Sequence, residues 1–191
     1  EIGERAMSIN RPMTFCISTY NNLEYLKIAV DSVRSNSFHH DAPFIVHAEN
    51  CDDGTDEWLD KNWRKYDLDH YIDHNDKPKG IGGGMNFCAD RVETEYINFL
   101  HSDFYVTKNW DKALLDVHEK YPNEKLWVNS HRVEPKMFAT TESRPGTVVV
   151  PQEEFGAFWH DFNSELFDRW SDEFVNGNDF EIAKGEGVSG L

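Results

Sequence analysis

Three short apolar runs constrain this chain most: residues 13–18 (MTFCIS), 44–48 (FIVHA) and 96–100 (YINFL). Each has the length of a strand, and none alternates strictly between apolar and polar residues. Such runs read as strands covered on both faces, the pattern of a parallel sheet. Between them lie stretches with helical spacing. Leu23, Leu26, Ile28, Ala29 and Val33 form one apolar face, with Asn21 or Asn22 placed to cap its start. Residues 57–65, with Trp58, Leu59 and Trp63, read as a second helix, and residues 70–73 as a third, short strand. A Gly-rich turn at 80–84 opens into a helix from about Met85 to Arg91. Residues 111–120 carry the stripe Leu114, Leu115 and Val117. Further on, 126–129 and 147–150 read as strands, and 162–170 and 180–184 as helices. The alternation predicts an α/β chain with a Rossmann-like, mainly parallel sheet and helices on both faces.

Ligands of such sheets bind where the strands end at their carboxyl side. Polar clusters fall at those ends: Thr19-Tyr20-Asn21, Glu49-Asn50 and His101-Ser102-Asp103. The run KGIGGGMN does not make a dinucleotide fingerprint in either register, and the chain has no Walker A GK[ST]. Gly82 and its neighbours instead suit a backbone that approaches a ligand closely, beside a helix N-terminus open to negative charge. Lys79 stands ready for a phosphate or base contact. Asp103, a carboxylate closing an apolar strand, is a candidate ligand for a divalent cation that bridges phosphate oxygens; an isolated strand-end Asp also often caps the next turn. Asp179 and Glu181, in GNDFE, open a late helix; there a cap and a general base are both open readings.

Composition narrows the function classes. Aromatics make up 14% of the 191 residues, which a disordered chain would lack. The formal charge of −16 excludes a non-specific nucleic-acid binder, which needs a Lys/Arg surplus. No apolar run approaches the ~20 residues of a membrane span, so the chain reads as soluble and cytoplasmic, with residues 1–12 as a mobile leader. Cys16, Cys51 and Cys88 show no CxxC spacing, and a disulfide framework or zinc site is not expected. His70 and His74 have a zinc-like spacing only on a helix; on a strand they read as structural or surface residues.

Taken together, these clusters resemble the inverting GT-A glycosyltransferases of family 2, over roughly residues 13–184. MTFCISTYNNLEYLKIAVDSV is similar to the family's first strand and helix, and FIVHAENCDDGTDEWL to its second strand and acidic turn. KGIGGGMNFCADRVETEYINFLHSDF resembles the Gly-rich turn, an Asn-bearing helix and the strand leading to Asp-x-Asp. GNDFEIAK resembles the late acidic motif. The resemblance implies a metal-dependent transfer of sugar from a UDP-, GDP- or dTDP-linked donor to a hydroxyl of a glycan or glycoconjugate. It places Thr19, Tyr20 and Asn21 against the nucleoside and Glu49 where an Asp usually reads the base. Lys79, Gly82, Asn86, His101 and Ser102 complete the donor side. Asp103 would hold Mn²⁺ or Mg²⁺, and Asp179 would be the catalytic base.

The sequence departs from the family pattern in three places. His101 replaces the first Asp of Asp-x-Asp, Asn178 replaces the acid before Asp179, and Glu49 is one methylene longer than Asp. Residues 13–110 would bind the nucleotide sugar and 111–191 the acceptor, the whole being one domain and a candidate fragment of a larger protein. On the acceptor side Trp159, His160 and Asp161 offer an aromatic face and hydrogen-bonding groups; Trp170 reads as core beside Leu166 and Phe167. Two rivals remain. A sugar nucleotidyltransferase would want a Gly- and Arg/Lys-rich loop where STYNNLEYL stands, and a module that only binds nucleotide sugar or glycan would tolerate His101 and Asn178.

Overall fold

The computed structural model describes residues 12–138, 148–149, 151 and 154–177. The expected alternation is present: β1 (Met13–Thr19), α1 (Leu23–Asn36), β2 (Phe44–Glu49), α2 (Thr55–Tyr66), β3 (Asp69–Asp73), α3 (Gly80–Ala89), β4 (Tyr96–His101) and α4 (Trp110–Lys120). The four strands form one sheet in the order β3-β2-β1-β4. Every pairing is parallel, and Ser18 of β1 faces His47 on one side and His101 on the other. Successive residues of β1 serve opposite faces. Phe15 and Ile17 pack with Phe44, Val46, Leu26, Val30 and Leu115 in the larger core. Cys16 packs with Ile45 and Cys88 on the other face, where α3 lies. Fully burying a side chain such as Phe15 or Phe44 contributes about 1.5–3 kcal/mol, which explains why these short runs are so apolar.

Polar groups fix the helices in place. Asp53 accepts from the Thr55 N–H and hydroxyl at 3.1 and 2.7 Å, closing the start of α2. Its other oxygen accepts from Leu23 N–H at 2.8 Å and so caps α1 as well. Asn22 stands at the N-cap position of α1 but gives that helix no side-chain bond. The expected local cap is therefore replaced by one from the β2–α2 loop. Arg34 donates to the carbonyls of Tyr66, His40 and Ala42, tying α1 to the end of α2.

The Gly-rich segment differs from expectation. Residues 80–84 are not a turn ahead of the helix; they are its first turns. The reason is close packing on the sheet. A Cβ on Gly84 would collide with the Ser18 side chain and lie 3.1 Å from His47 Nδ1, so α3 can approach β1 and β2 only with glycine there. Gly80, with φ +66°, takes a left-handed conformation that lets the chain enter the helix.

Beyond α4, residues 126–129 form no strand; a two-residue strand β5 (Arg132–Val133) pairs in parallel with β6 (Val148–Val149). The expected strand has apolar residues but no neighbour to pair with among the described residues. Helix α5 (Ser164–Gly177) starts two residues after the expected 162 and runs further. Trp170 lies 5.4 Å from Phe155 and stacks on Phe174 at 5.1 Å, a packing role as expected. The helix expected at 180–184 lies outside the described residues.

Candidate functional site

The sheet order reverses at β1: its next strand in sequence lies on one side, and β4 on the other. Between the carboxyl ends of β1 and β4 opens the crevice where such sheets hold ligands. Thr19, Tyr20 and Asn21 leave β1 on one wall, and His101, Ser102 and Asp103 leave β4 on the other. The walls are joined by Asn22 Nδ2, which donates to Ser102 Oγ at 3.0 Å. Tyr20 is 64% exposed. Thr19, only 4% exposed, has a buried hydroxyl without a hydrogen-bond partner among the described residues. A buried polar atom of this kind is costly unless something else satisfies it. Asn21, at φ +44°, turns its side chain to accept from Asp52 N–H at 2.7 Å and so shapes the rim.

Glu49 is 5% exposed and has a role that its sequence position did not suggest. Its two oxygens accept from Lys79 N–H at 2.9 Å each, from Gly80 N–H at 3.0 Å and from Asn75 Nδ2 at 3.3 Å. The N-terminus of α3, expected to be open to an anion, is already closed by this carboxylate. Asn50 supports the arrangement by exchanging two bonds with the Asn75 backbone, at 2.8 and 2.6 Å. Lys79, Gly82 and Asn86 are exposed around this first turn of α3 and beyond it.

Burial would push the Glu49 carboxyl up. The donors from Lys79, Gly80 and Asn75, with the neighbouring His47, outweigh burial and hold it below the ordinary value. A depressed folded-state value gives stability that is fully present above the unfolded-state value of about 4.3 and lost as pH falls through the folded one. We therefore expect Glu49→Gln to be less stable than the parent at neutral pH and to lose less on acidification below about pH 4. Urea unfolding across pH 2–7 reads both effects; superimposable acid limbs would contradict the capping role.

Asp103 is exposed at the exit of β4, and His101 lies with its ring 4.9 Å from Phe104. No group of three or more His, Cys, Asp or Glu side chains gathers as a metal cage among the described residues. A single exposed carboxylate is nonetheless a suitable hard-oxygen donor for Mg²⁺ or Mn²⁺ shared with substrate phosphates, since these ions often take one or two carboxylates and keep several waters. Asp179, with Glu181, lies outside the described residues. The remaining histidines expected to be structural are so: His70 Nε2 pairs with Asp60 at 2.8 Å and His74 Nε2 with Asp56 at 3.1 Å.

The acceptor-side candidates sit in one compact loop before α5. Asn163 N–H donates to Phe155 O at 2.7 Å, and Asp161 Oδ1 accepts from the Ala157 and Phe158 N–H groups at 3.1 and 2.7 Å. Asp161 thus closes its own loop. His160 is exposed and its ring lies parallel to Phe158 at 5.7 Å. Trp159, 45% exposed, lines a cavity of about 440 Å³ against the outer side of α1. The rings of Trp159 and His160 meet edge to face at 5.3 Å, while Asp161 turns back on its own loop.

Sequence reasoning gave Asn22 only as a candidate helix cap and Asn50 only as part of a strand-end cluster, and it did not single out Asp53 or Asn75; each of the four has a partner in another loop. The cluster of Asn and Asp directly after β1 and β2 was the available signal, because such residues favour tight turns and tolerate positive φ.

The fold is that of a Rossmann-like α/β protein with its topological switch point between β1 and β4. A sequence model described as Glycosyl transferase family 2 matches residues 14–171. The chain belongs to that family. No curated protein sequence matches it significantly. Among solved structures, it is similar to S. aureus TarS, with a TM-score of 0.50 at 20% identity over 75% of this chain and 24% of that one. It is also similar to S. aureus TarS 1–349 in complex with UDP, with a TM-score of 0.52, 17% identity, and 69% of this chain against 38% of that one. The same protein in complex with UDP-GlcNAc gives a TM-score of 0.52 at 17% identity, covering 69% and 37%. The chain thus spans 24–38% of the length of these structures, and the likeness is one of fold. Among the described residues no helix is long and apolar enough to cross a membrane.

Proposed function

We propose that this chain is the donor-binding and catalytic part of an inverting, metal-dependent glycosyltransferase that uses a nucleoside-diphosphate sugar. One observation carries the reading: β1 and β4 exit side by side at the switch point of a family 2 chain, joined by Asn22 and Ser102, with the buried Thr19 hydroxyl left without a partner. Solved TarS structures that hold UDP and UDP-GlcNAc favour a uridine nucleotide over GDP- or dTDP-linked donors. Thr19, Tyr20 and Asn21 would flank the nucleoside, with Ser102 and His101 across the crevice. Glu49 would meet the base only by sharing its oxygens with the α3 amides; otherwise it acts by holding α3, with Lys79, Gly82 and Asn86, at the rim. Asp103 would hold Mn²⁺ or Mg²⁺, which when bound offsets charge on the departing diphosphate.

In this reading Asp179 takes the proton from an acceptor hydroxyl as its oxygen attacks the anomeric carbon. The bond from that carbon to the diphosphate oxygen breaks, and a single displacement inverts the centre. The acceptor would be a glycan or glycoconjugate reached from the side of residues 111–191. His101 and Asn178 keep a second reading in view, a module that binds nucleotide sugar without turnover.

The test is a thermal-shift series of parent and Asp103→Asn with UDP-, GDP- and dTDP-sugars, with and without Mn²⁺. At a hundredfold excess over Kd, a bound donor adds about 2.7 kcal/mol to stability. We expect one donor to raise the parent's Tm only when Mn²⁺ is present, and the variant to lose most of that rise while its unliganded Tm is unchanged. Equal metal-dependent shifts in both proteins would remove Asp103 from the metal site. No shift with any donor would overturn the donor reading.

A further inference from the structure

The cavity beside Trp159 lies away from the crevice. Helix α1 starts at the crevice with Leu23 and runs back along the sheet, so Lys27 and Asp31 on the cavity wall are about 6 and 12 Å further down it. The opposite walls come from Tyr66 at the end of α2, from Tyr105 in the β4–α4 connection, and from Trp159 and Phe162 before α5. Four aromatic side chains border an open hollow of about 440 Å³; Tyr105 and Phe162 pack on each other with centroids 5.0 Å apart, and Trp159 offers the exposed ring. Polar groups sit among them. Tyr66 Oη donates to Asp31 Oδ1 at 3.2 Å, and the second Asp31 oxygen has no hydrogen-bond partner among the described residues. Ser164 adds a hydroxyl, and Lys27 reaches Glu24 at 2.6 Å.

The charges choose the ligand class. Asp31 opposes an anion, and Lys27 together with Lys65, which donates to Tyr66 Oη at 2.7 Å, opposes a cation, so the wall favours a neutral molecule rich in hydroxyls. Rings that can stack on C–H faces, beside a carboxylate able to accept from hydroxyls, are the complement of a sugar. Tyr105 is held in place by donating to Asp168 at 2.7 Å. Trp159 is 45% exposed over the opening, its ring meeting His160 edge to face at 5.3 Å.

We infer that the cavity between α1 and the Trp159 loop is a saccharide-binding subsite, separate from the crevice, that holds a neutral stretch of glycan by stacking on Trp159 and hydrogen bonding to Asp31. The inference builds on the glycosyltransferase reading only in supposing that the held glycan belongs to the acceptor. A glycan gripped there would be retained through successive encounters of its reactive end with the crevice.

The test titrates the ¹⁵N-labelled chain with cellobiose, maltose and N,N′-diacetylchitobiose while the tryptophan indole N–H signals are followed, with UDP plus Mn²⁺ titrated separately into the same parent sample. We expect at least one disaccharide to shift the Trp159 signal, Trp159→Ala to weaken its binding at least tenfold, and Asp31→Asn to weaken it severalfold. Both side chains are exposed, and the amide spectrum checks that each variant is folded. If UDP binds and no disaccharide moves Trp159, the subsite is refuted and the donor reading stands. If a disaccharide moves Trp159 and UDP does not bind, the subsite stands and the donor reading falls. Parental disaccharide affinity in folded Trp159→Ala would also refute the subsite.

Discussion

Asp111→Ala should lower the stability of this chain by about 3–6 kcal/mol, the loss of two backbone hydrogen bonds to a buried carboxylate at about 1.5–3 kcal/mol each. Asp111 lies in the first turn of α4 and is fully buried. One oxygen accepts from Phe38 N–H at 2.7 Å; the other accepts from His39 N–H at 2.8 Å and meets His39 Nδ1 at 2.9 Å. This carboxylate therefore supplies the acceptors for the turn between α1 and β2. Around it, Asn109 N–H donates to Asn36 O at 2.7 Å, Asn36 Nδ2 to Val106 O at 2.7 Å, and Trp110 Nε1 to Ser37 Oγ at 2.9 Å. The chain that leaves Asp103 is thereby fastened along α1. Hydrogen bonds to a charged group contribute about 1.5–3 kcal/mol each, and alanine removes them together. Asparagine should cost nearly as much, because its NH₂ would face an N–H donor where an oxygen is needed. Chemical denaturation of parent, Asp111→Ala and Asp111→Asn decides it. A loss under about 1 kcal/mol would fit an ordinary first-turn helix acid instead.

How far the sequence could be read follows from the range of the forces involved. β1 and β2 were legible because a strand buried on both faces must be apolar along its length, and no partner need be known to see that; β4 is an edge strand with only Leu100 buried, and its short apolar run sufficed. The strand-end clusters were legible for a similar reason: topology alone puts those residues at the ligand edge. Asp111 was legible only as a helix start, since its partners lie 72 and 73 residues away. Glu49 was likewise seen at the correct edge, but its four bonds depend on how closely α3 approaches the sheet. That approach is set by Gly84, and glycine by itself gives no such distance. The same gap hid the α1 cap from Asp53 and the cavity wall shared by Asp31 and Trp159. Residues 126–129 failed in the opposite sense: their local pattern was that of a strand, with no neighbour among the described residues to pair with it.

Asp179→Asn should lower sugar transfer by roughly 10²–10⁴-fold, the usual contribution of a positioned general base. The position lies outside the described residues and past the family match, which ends at residue 171; the argument rests on the resemblance of Gly177-Asn178-Asp179-Phe180-Glu181 to the late acidic motif of that family. A base acts in the chemical step alone, so kcat should fall while donor affinity stays within a few-fold. Asparagine keeps the size of the side chain and still caps a helix through its oxygen. If Asp179 is only a cap, the variant should therefore keep the parent's rate as well as its Tm. The parent's pH–rate profile adds an independent reading: an acidic limb that belongs to this carboxylate should disappear in the variant's residual activity. Transfer at the parental rate would leave Asp179 as a cap and move the search to Glu181, since Asp161 already spends one oxygen on the Ala157 and Phe158 amides. If a donor binds both proteins and neither transfers its sugar to any acceptor offered, the chain binds nucleotide sugar without turnover. The replacement of two family acids by His101 and Asn178 would then be the reason to examine first.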